Sequence, residues 1–175
     1  MRLFWTIFVG LLGLARPPAV RDRRRALSQG GVLPLCYDAA MDIEYAVLAD
    51  YVDIVNSKLY LMGGGWDITT VAETPVGLRL GVALGVRLGW NETDQPAPVT
   101  IIVENDDGQE YLRVEGTLQV SRPEGLPPGA TQLSQIAANL ALTVPVAGGY
   151  RVRLRVLLGE VTVEQHLPFR VVIAS

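Results

Sequence analysis

Hydrophobic and polar positions alternate most clearly near the C-terminus. From residue 150, Tyr150, Val152, Leu154 and Val156 share one parity, and Arg151, Arg153 and Arg155 share the other. A period of two is that of a strand with one buried face. Gly159 and Glu160 then form a two-residue turn, with glycine at the first central position as a type II′ hairpin prefers. Closing the turn predicts Leu158 opposite Val161, Val156 opposite Val163 and Val152 opposite Leu167. On the polar face Arg155 then meets Glu164, and Arg153 meets His166. Opposite charges across a pair add roughly 0.2–1 kcal/mol.

The same test predicts further hairpins. Asp107-Gly108 is a type I′ signal. Pairing Asp106 with Gln109 sets Val103 against Leu112 and Ile101 against Val114. Leu112, Val114, Leu118 and Val120 then face inward, while Tyr111, Arg113, Glu115 and Gln119 face out. Asn56-Ser57 predicts a third hairpin, pairing Ile54 with Leu59 and Val52 with Leu61. Its first strand, read as one element from Asp42 to Val55, is more continuously apolar, so it is expected to lie between other elements.

Residues 76–90 place Leu78, Leu80, Val82, Leu84, Val86 and Leu88 on one face. Gly77, Gly81, Gly85 and Gly89 recur on the other, beside Arg79 and Arg87. The four-residue glycine spacing resembles a membrane packing motif, but two arginines in so short a run oppose a spanning helix. Glycines on the far face of a strand instead point to close approach of another backbone or side chain. Residues 132–145 fit neither period cleanly and are read as mostly strand. Turn-rich segments join these runs, so the expected fold is all-β: an antiparallel β-sandwich or small barrel of about eight strands.

Composition supports a packed domain. Hydrophobic residues make up 49% of the 175 and charged residues 19%, which opposes disorder. The charge is unevenly placed. Residues 1–40 hold six arginines against two aspartates, while the rest hold nine basic and 16 acidic residues. An acidic domain without a basic stripe is a poor nucleic-acid binder, so no nucleic-acid partner is expected. A single cysteine, Cys36, excludes an internal disulfide and a cysteine-based zinc site. His166, the one histidine, would have to serve any triad or histidine metal site, and it faces Arg153.

Residues 1–40 read as a non-domain extension, and 41–175 as one β-sandwich domain. The apolar run 3–15 is too short to span a bilayer and has the length of a signal-peptide core. Arg21, Arg23, Arg24 and Arg25 follow it, and positive charge there favours retention in the cytoplasm. Met41 is the first methionine after Met1, and the β pattern begins directly after it. The extension is therefore read first as upstream sequence joined by a wrongly chosen start, then as a signal peptide, then as an anchor. The expected location is the cytoplasm, with export as the alternative, and no membrane contact is expected unless residues 3–15 are an anchor.

Several stretches carry a resemblance. These are residues 42–51, with Leu48-Ala49-Asp50-Tyr51 at their end, residues 56–60, and Met62-Gly63-Gly64-Gly65-Trp66-Asp67. Trp90-Asn91-Glu92-Thr93 and residues 125–129 add to it. Together they resemble a bacterial family of short all-β proteins known only as a domain of unknown function. The resemblance covers residues 42–172 and implies the same small β-domain and a bacterial source. It implies no activity, and residues 1–40 depart from the family pattern.

The candidate ligand contacts are Gly63, Gly64, Gly65, Trp66, Asp67, Trp90 and Asn91. A phosphate-cradling loop needs glycines opening a helix with a following lysine, and here a strand follows. The plainer reading is a glycine bulge that turns the chain while Trp66 fills the core. Trp90 and Asn91 close the long strand in a turn, and Trp66, Trp90, Tyr45, Tyr51 and Tyr60 are the aromatics a sugar platform would need. Glu104, Asp106 and Asp107 cluster at a hairpin tip without calcium-loop spacing and read as a solvated acidic turn. Asp50, Asp53 and Asp67 are the carboxylates a glycoside hydrolase would use, but Asp50 and Asp53 differ in parity. No catalytic residue, metal ligand or cofactor is assigned. The expected function is non-enzymatic, a binding or protein-interaction domain with an unidentified protein partner. The alternatives are an exported envelope domain and a small carboxylate-dependent hydrolase.

Overall fold

The computed structural model describes residues Phe4–Thr6 and 41–174. The readings of the apolar run as a signal peptide or anchor, and Cys36 with them, lie outside the described residues. The elements are β1 (Phe4–Thr6), β2 (Asp42–Ala49), β3 (Tyr51–Val55), β4 (Lys58–Met62), β5 (Ile68–Val71), β6 (Val76–Leu88), a single 3-10 turn (Trp90–Glu92), β7 (Pro96–Asn105), β8 (Glu110–Gln119), β9 (Gln132–Val144), β10 (Gly148–Leu158) and β11 (Val161–Ile173). The fold is all-β, as expected. The strands form a sandwich with no closed barrel, and more of them are present than the eight expected.

One sheet runs β1-β8-β7-β10-β11-β5 and a second runs β2-β6-β9, with β3-β4 as a separate pair. The inner faces of the two large sheets meet in one core. Leu80, Val82, Leu84 and Val86 of β6 and Ile136 of β9 lie on one side, and Val103, Val152, Leu154 and Val156 on the other. β9 resolves into a regular strand. Ile136, Leu140, Leu142 and Val144 share its buried face, and Leu133 belongs to the opposite one. Ser134 and Gln132 on the buried face carry polar groups, which is why the apolar period looked broken in sequence.

The C-terminal hairpin has the expected register throughout, from Leu158↔Val161 to Arg153↔His166 and Val152↔Leu167. Gly159 has φ 57°, and Glu160 keeps a negative φ, which is the type II′ geometry. Val103↔Leu112 and Ile101↔Val114 also stand as read. The tip differs. Glu104 pairs with Glu110, so Tyr111 is an extra residue on β8. Such a bulge re-aims its side chain. Tyr111 turns in against buried Tyr150, with ring centroids 5.7 Å apart, rather than facing out.

Two pairings are parallel and were not expected. They are β5 with β11 and β1 with β8. The long first strand also divides. A bend at Asp50 sends β2 into the second sheet and β3 across the back of that sheet.

Candidate functional site

The crossing hairpin β3-β4 is a third layer on the second sheet. Two features of the sheet dictate where it lies. The first is Gly81 on β6. A Cβ at Gly81 would stand 3.0 Å from the Tyr51 carbonyl carbon and from the Val52 nitrogen, so any side chain there would press on the hairpin backbone. Ala49, Val52 and Ala83 are fully buried in this contact, with Leu59 and Ala137 packed beside them. The second is Asn139 on β9. Its amide oxygen accepts from the Val52 N–H at 3.1 Å, and its amide nitrogen donates to the Val52 carbonyl at 2.8 Å. One side chain thus meets both outward backbone groups of a β3 residue, as a neighbouring strand would.

Asn56 (φ 49°) and Ser57 (φ 60°) make the tight turn, and the expected pairs Ile54↔Leu59 and Val52↔Leu61 are present. The pairs Tyr51↔Met62, Asp53↔Tyr60 and Val55↔Lys58 occupy the opposite face, away from the sheet. That face is open to solvent: Tyr51 is 47% exposed, Tyr60 53% and Met62 65%. Two tyrosines and a methionine are the side chains that protein contacts favour; Asp53 stands beside Tyr60 and accepts from the Ile54 N–H, and Lys58 lies at one end.

The edges of the hairpin are unequal. In a two-residue hairpin the residues flanking the turn bond to each other, so alternate residues turn their N–H and C=O groups outward. On β3 these residues are Val52, met by Asn139, and Ile54, whose N–H donates to the Asp53 carboxylate at 2.8 Å. On β4 they are Leu59 and Leu61, whose outward groups meet no partner among the described residues.

The glycine run ends this hairpin. Gly63 (φ 61°) and Gly65 (φ 85°) adopt the left-handed region. A Cβ on Gly63 would stand 2.0 Å from the Asp50 carboxylate, and the Gly65 N–H donates to the Leu48 carbonyl at 2.8 Å. Gly64 lies against β2. Trp66 packs edge-on against Phe169 at 6.0 Å, in a row that continues through Tyr150, and its indole N–H is buried without a protein partner. Asp67 is exposed, and its carbonyl accepts from the Arg170 N–H at 2.7 Å, which starts the β5–β11 pairing.

Trp90 and Asn91 stand elsewhere, in the turn after β6. The Arg122 guanidinium lies 4.0 Å over the Trp90 ring, donates to the Trp90 carbonyl at 2.8 Å and also reaches the Thr93 hydroxyl. Asn91 is exposed and accepts a bond from the Gln95 side chain through its carbonyl. Among the described residues no hydrogen bond or ring contact joins Trp90 to Trp66. The aromatics of the sugar platform are likewise dispersed. Tyr45 covers Gly85 and accepts from Gln135 at 2.7 Å, while Tyr51 and Tyr60 stand on the hairpin. Asp50 lies beside Gly63, and Asp53 accepts from the Ile54 N–H of its own strand.

Glu104 corrects the reading of an acidic tip. It is 3% exposed and lies on the outer face of the large sheet. Arg151 donates to it at 2.6 Å and Arg153 at 3.1 Å. The Arg151 bond, helped by the positive charges of Arg153 and Arg151 against the opposing effect of burial, holds its carboxyl below the usual carboxylate range. His166 sits opposite Arg153 as read, with Nε2 2.7 Å from the Glu164 carboxylate. Among the described residues, no three His, Cys, Asp or Glu side chains are grouped to hold a metal ion. No helix among them is long and apolar enough to cross a membrane.

The sequence profile of a family of unknown function (DUF6941) matches residues 44–172. Among solved structures, the chain is similar to the X-ray structure of Northeast Structural Genomics Consortium target SoR45. The identity is 13% and the TM-score 0.35, over 78% of this chain and 88% of that one. No curated protein matches the chain.

Proposed function

The chain belongs to the DUF6941 family of unknown function, and with no activity to inherit from it we propose that the protein is a non-enzymatic interaction domain whose contact surface is the β3-β4 hairpin. The observation that supports this is the outward face of Tyr51, Tyr60 and Met62, open to solvent on a hairpin that Asn139 and Gly81 hold in place. Large apolar groups gathered on a fixed surface are what a partner contact uses. A rigid platform also lowers the entropy lost on binding. The reading has the domain working in the cytoplasm, because Arg21, Arg23, Arg24 and Arg25 directly follow the apolar run 3–15. Fractionation of the host cell tests the location, and recovery of the chain outside the cytoplasm overturns it.

In a gently prepared extract of the host, the C-terminally tagged chain is expected to migrate in an assembly heavier than its own 19.0 kDa. A Tyr60→Lys, Met62→Lys variant is expected to migrate as a single chain. Arg155→Glu, on the far side of the sandwich, is expected to behave as the wild type. Equal migration of all three proteins would end the proposal.

A further inference from the structure

Resting on that interaction reading, we propose that the partner is a second copy of this chain, whose β4 pairs antiparallel with β4 across a two-fold axis at Tyr60. A two-fold interface requires one patch to fit itself. β4 meets that requirement in backbone and side chains.

Leu59 and Leu61 are the β4 residues that turn their backbone groups outward. In the register centred on Tyr60, Leu59 of each copy lies opposite Leu61 of the other. Each such pair exchanges two N–H to C=O bonds, so the groups left open on one edge meet the same groups on its copy. Tyr60 then stands directly opposite itself in the close, non-hydrogen-bonded position where aromatic pairs interact best. Lys58 falls opposite Met62. The two Lys58 ammonium groups are thereby kept about 14 Å apart along the strands, at roughly 3.4 Å per residue, with the apolar centre between them. Continuing the register, Ser57 and Asn56 of one copy pass Gly63 and Gly64 of the other. Those positions present no side chain to the incoming turn, which gives the glycine run a second use beyond its left-handed backbone.

The other strand edges are less suited. β8 carries Glu110, Arg113 and Glu115 and pairs with β1. β2 carries Asp42 and Glu44 and is bulged between Ile43 and Tyr45. β5 has four residues. β9 is uncharged, but it exposes Asn139, Ala141 and Thr143 rather than large apolar groups. Native edges are normally blunted by charge, bulges or brevity. β4 combines an uncharged 59–62 segment with exposed Tyr60, Leu61 and Met62.

The test is sedimentation of the purified full chain over a dilution series, under reductant so that Cys36 forms no cross-link. The wild type is expected to pass from one chain to two. Tyr60→Lys sets like charges face to face and is expected to weaken the dimer at least about tenfold, as is Tyr60→Glu. Mixing the two variants is expected to restore the dimer, because the charges then complement. Hydrogen exchange is expected to slow at the Leu59 and Leu61 amides as concentration rises. A wild type that stays single at the highest concentration overturns the proposal. So does a dimer that Tyr60→Lys leaves intact, or protection that appears on β9 instead of β4. If the purified chain is single while the extract assembly still depends on Tyr60 and Met62, self-pairing fails and the interaction reading stands.

Discussion

Asn139 does with one side chain what a neighbouring strand does with its backbone. Both outward groups of Val52 depend on it, and Val52 is 1% exposed, so water does not replace the lost bonds without opening the contact. Asn139→Leu is expected to lower unfolding stability by about 2 kcal/mol, the worth of two bonds to buried backbone groups, as read by urea denaturation. Asn139→Asp is expected to do worse, because it turns an acceptor toward the Val52 carbonyl. Glu104 raises a different question, since its environment is charged. Arg151 and Arg153 keep partial contact with water, so removing the carboxylate does not strand two buried cations. Glu104→Gln is therefore expected to cost about 2 kcal/mol at neutral pH, within the range for bonds to charged groups, rather than the larger loss of a fully enclosed pair. The pH dependence follows from the lowered carboxyl pKa. A carboxylate more acidic in the folded state than in the unfolded chain stabilises fully above the ordinary carboxylate range. That stabilisation is lost as pH falls through the lowered folded value. The difference between wild type and Glu104→Gln should thus be greatest near neutrality and shrink on acidification. A difference that grew toward acid pH would contradict this account.

At the scale of elements, the hairpin is a layer that one glycine admits. Gly81→Val is expected to lift it, because the new side chain would start 3.0 Å from the β3 backbone. The predicted result is faster hydrogen exchange for the amides of residues 52–61, unchanged protection on β10 and β11, and a stability loss of about 1–3 kcal/mol. Gly77→Ala, on the same strand with nothing within 4 Å of its Cβ, serves as the control and is expected to stay within about 0.5 kcal/mol. The contrast between these glycines also shows what could be read from the chain. Close approach to a glycine face was legible at Gly81 and Gly85, but the occupant was not. Gly81 meets the hairpin, and Gly85 meets the Tyr45 ring. Hairpin registers were legible because a two-residue turn sets them locally and both faces check them, as in β10-β11 and β3-β4. The division at Asp50 was not legible, since apolar residues run closely on either side of it. What decides where it bends is Gly81 and Asn139, far along the chain. The parallel β5–β11 pairing joins Ile68 to Arg170 across the sequence and leaves no local trace. Buried Glu104 was hidden for a related reason. Beside Asp106 and Asp107 it reads as part of an acidic turn, and only the register of β7 against β10 shows two arginines closing over it.

The whole molecule has its core between Met41 and Val171 among the described residues, and Met41 itself is 3% exposed. The Met41 N–H donates to the Glu92 carboxylate at 2.7 Å, and the other oxygen of that carboxylate accepts from Gly89 at 2.6 Å. Glu92 thus ties the start of the domain to the end of β6. A chain begun at Met41 would place a terminal ammonium at the same carboxylate, converting a neutral donor into a charged one and strengthening the bond. A C-terminally tagged 41–175 protein is therefore expected to fold and to melt no lower than the full chain. The decisive comparison is Glu92→Gln made in both. In the full chain the substitution leaves one acceptor oxygen for two backbone donors, the Met41 and Gly89 N–H groups. In 41–175 it also removes an ion pair, so the fall in melting temperature should be larger there by about 4 °C, the equivalent of about 1 kcal/mol in a domain of this size. An equal fall in both proteins would mean that the terminal ammonium does not reach Glu92. A 41–175 protein that failed to fold would place part of the core in residues 1–40.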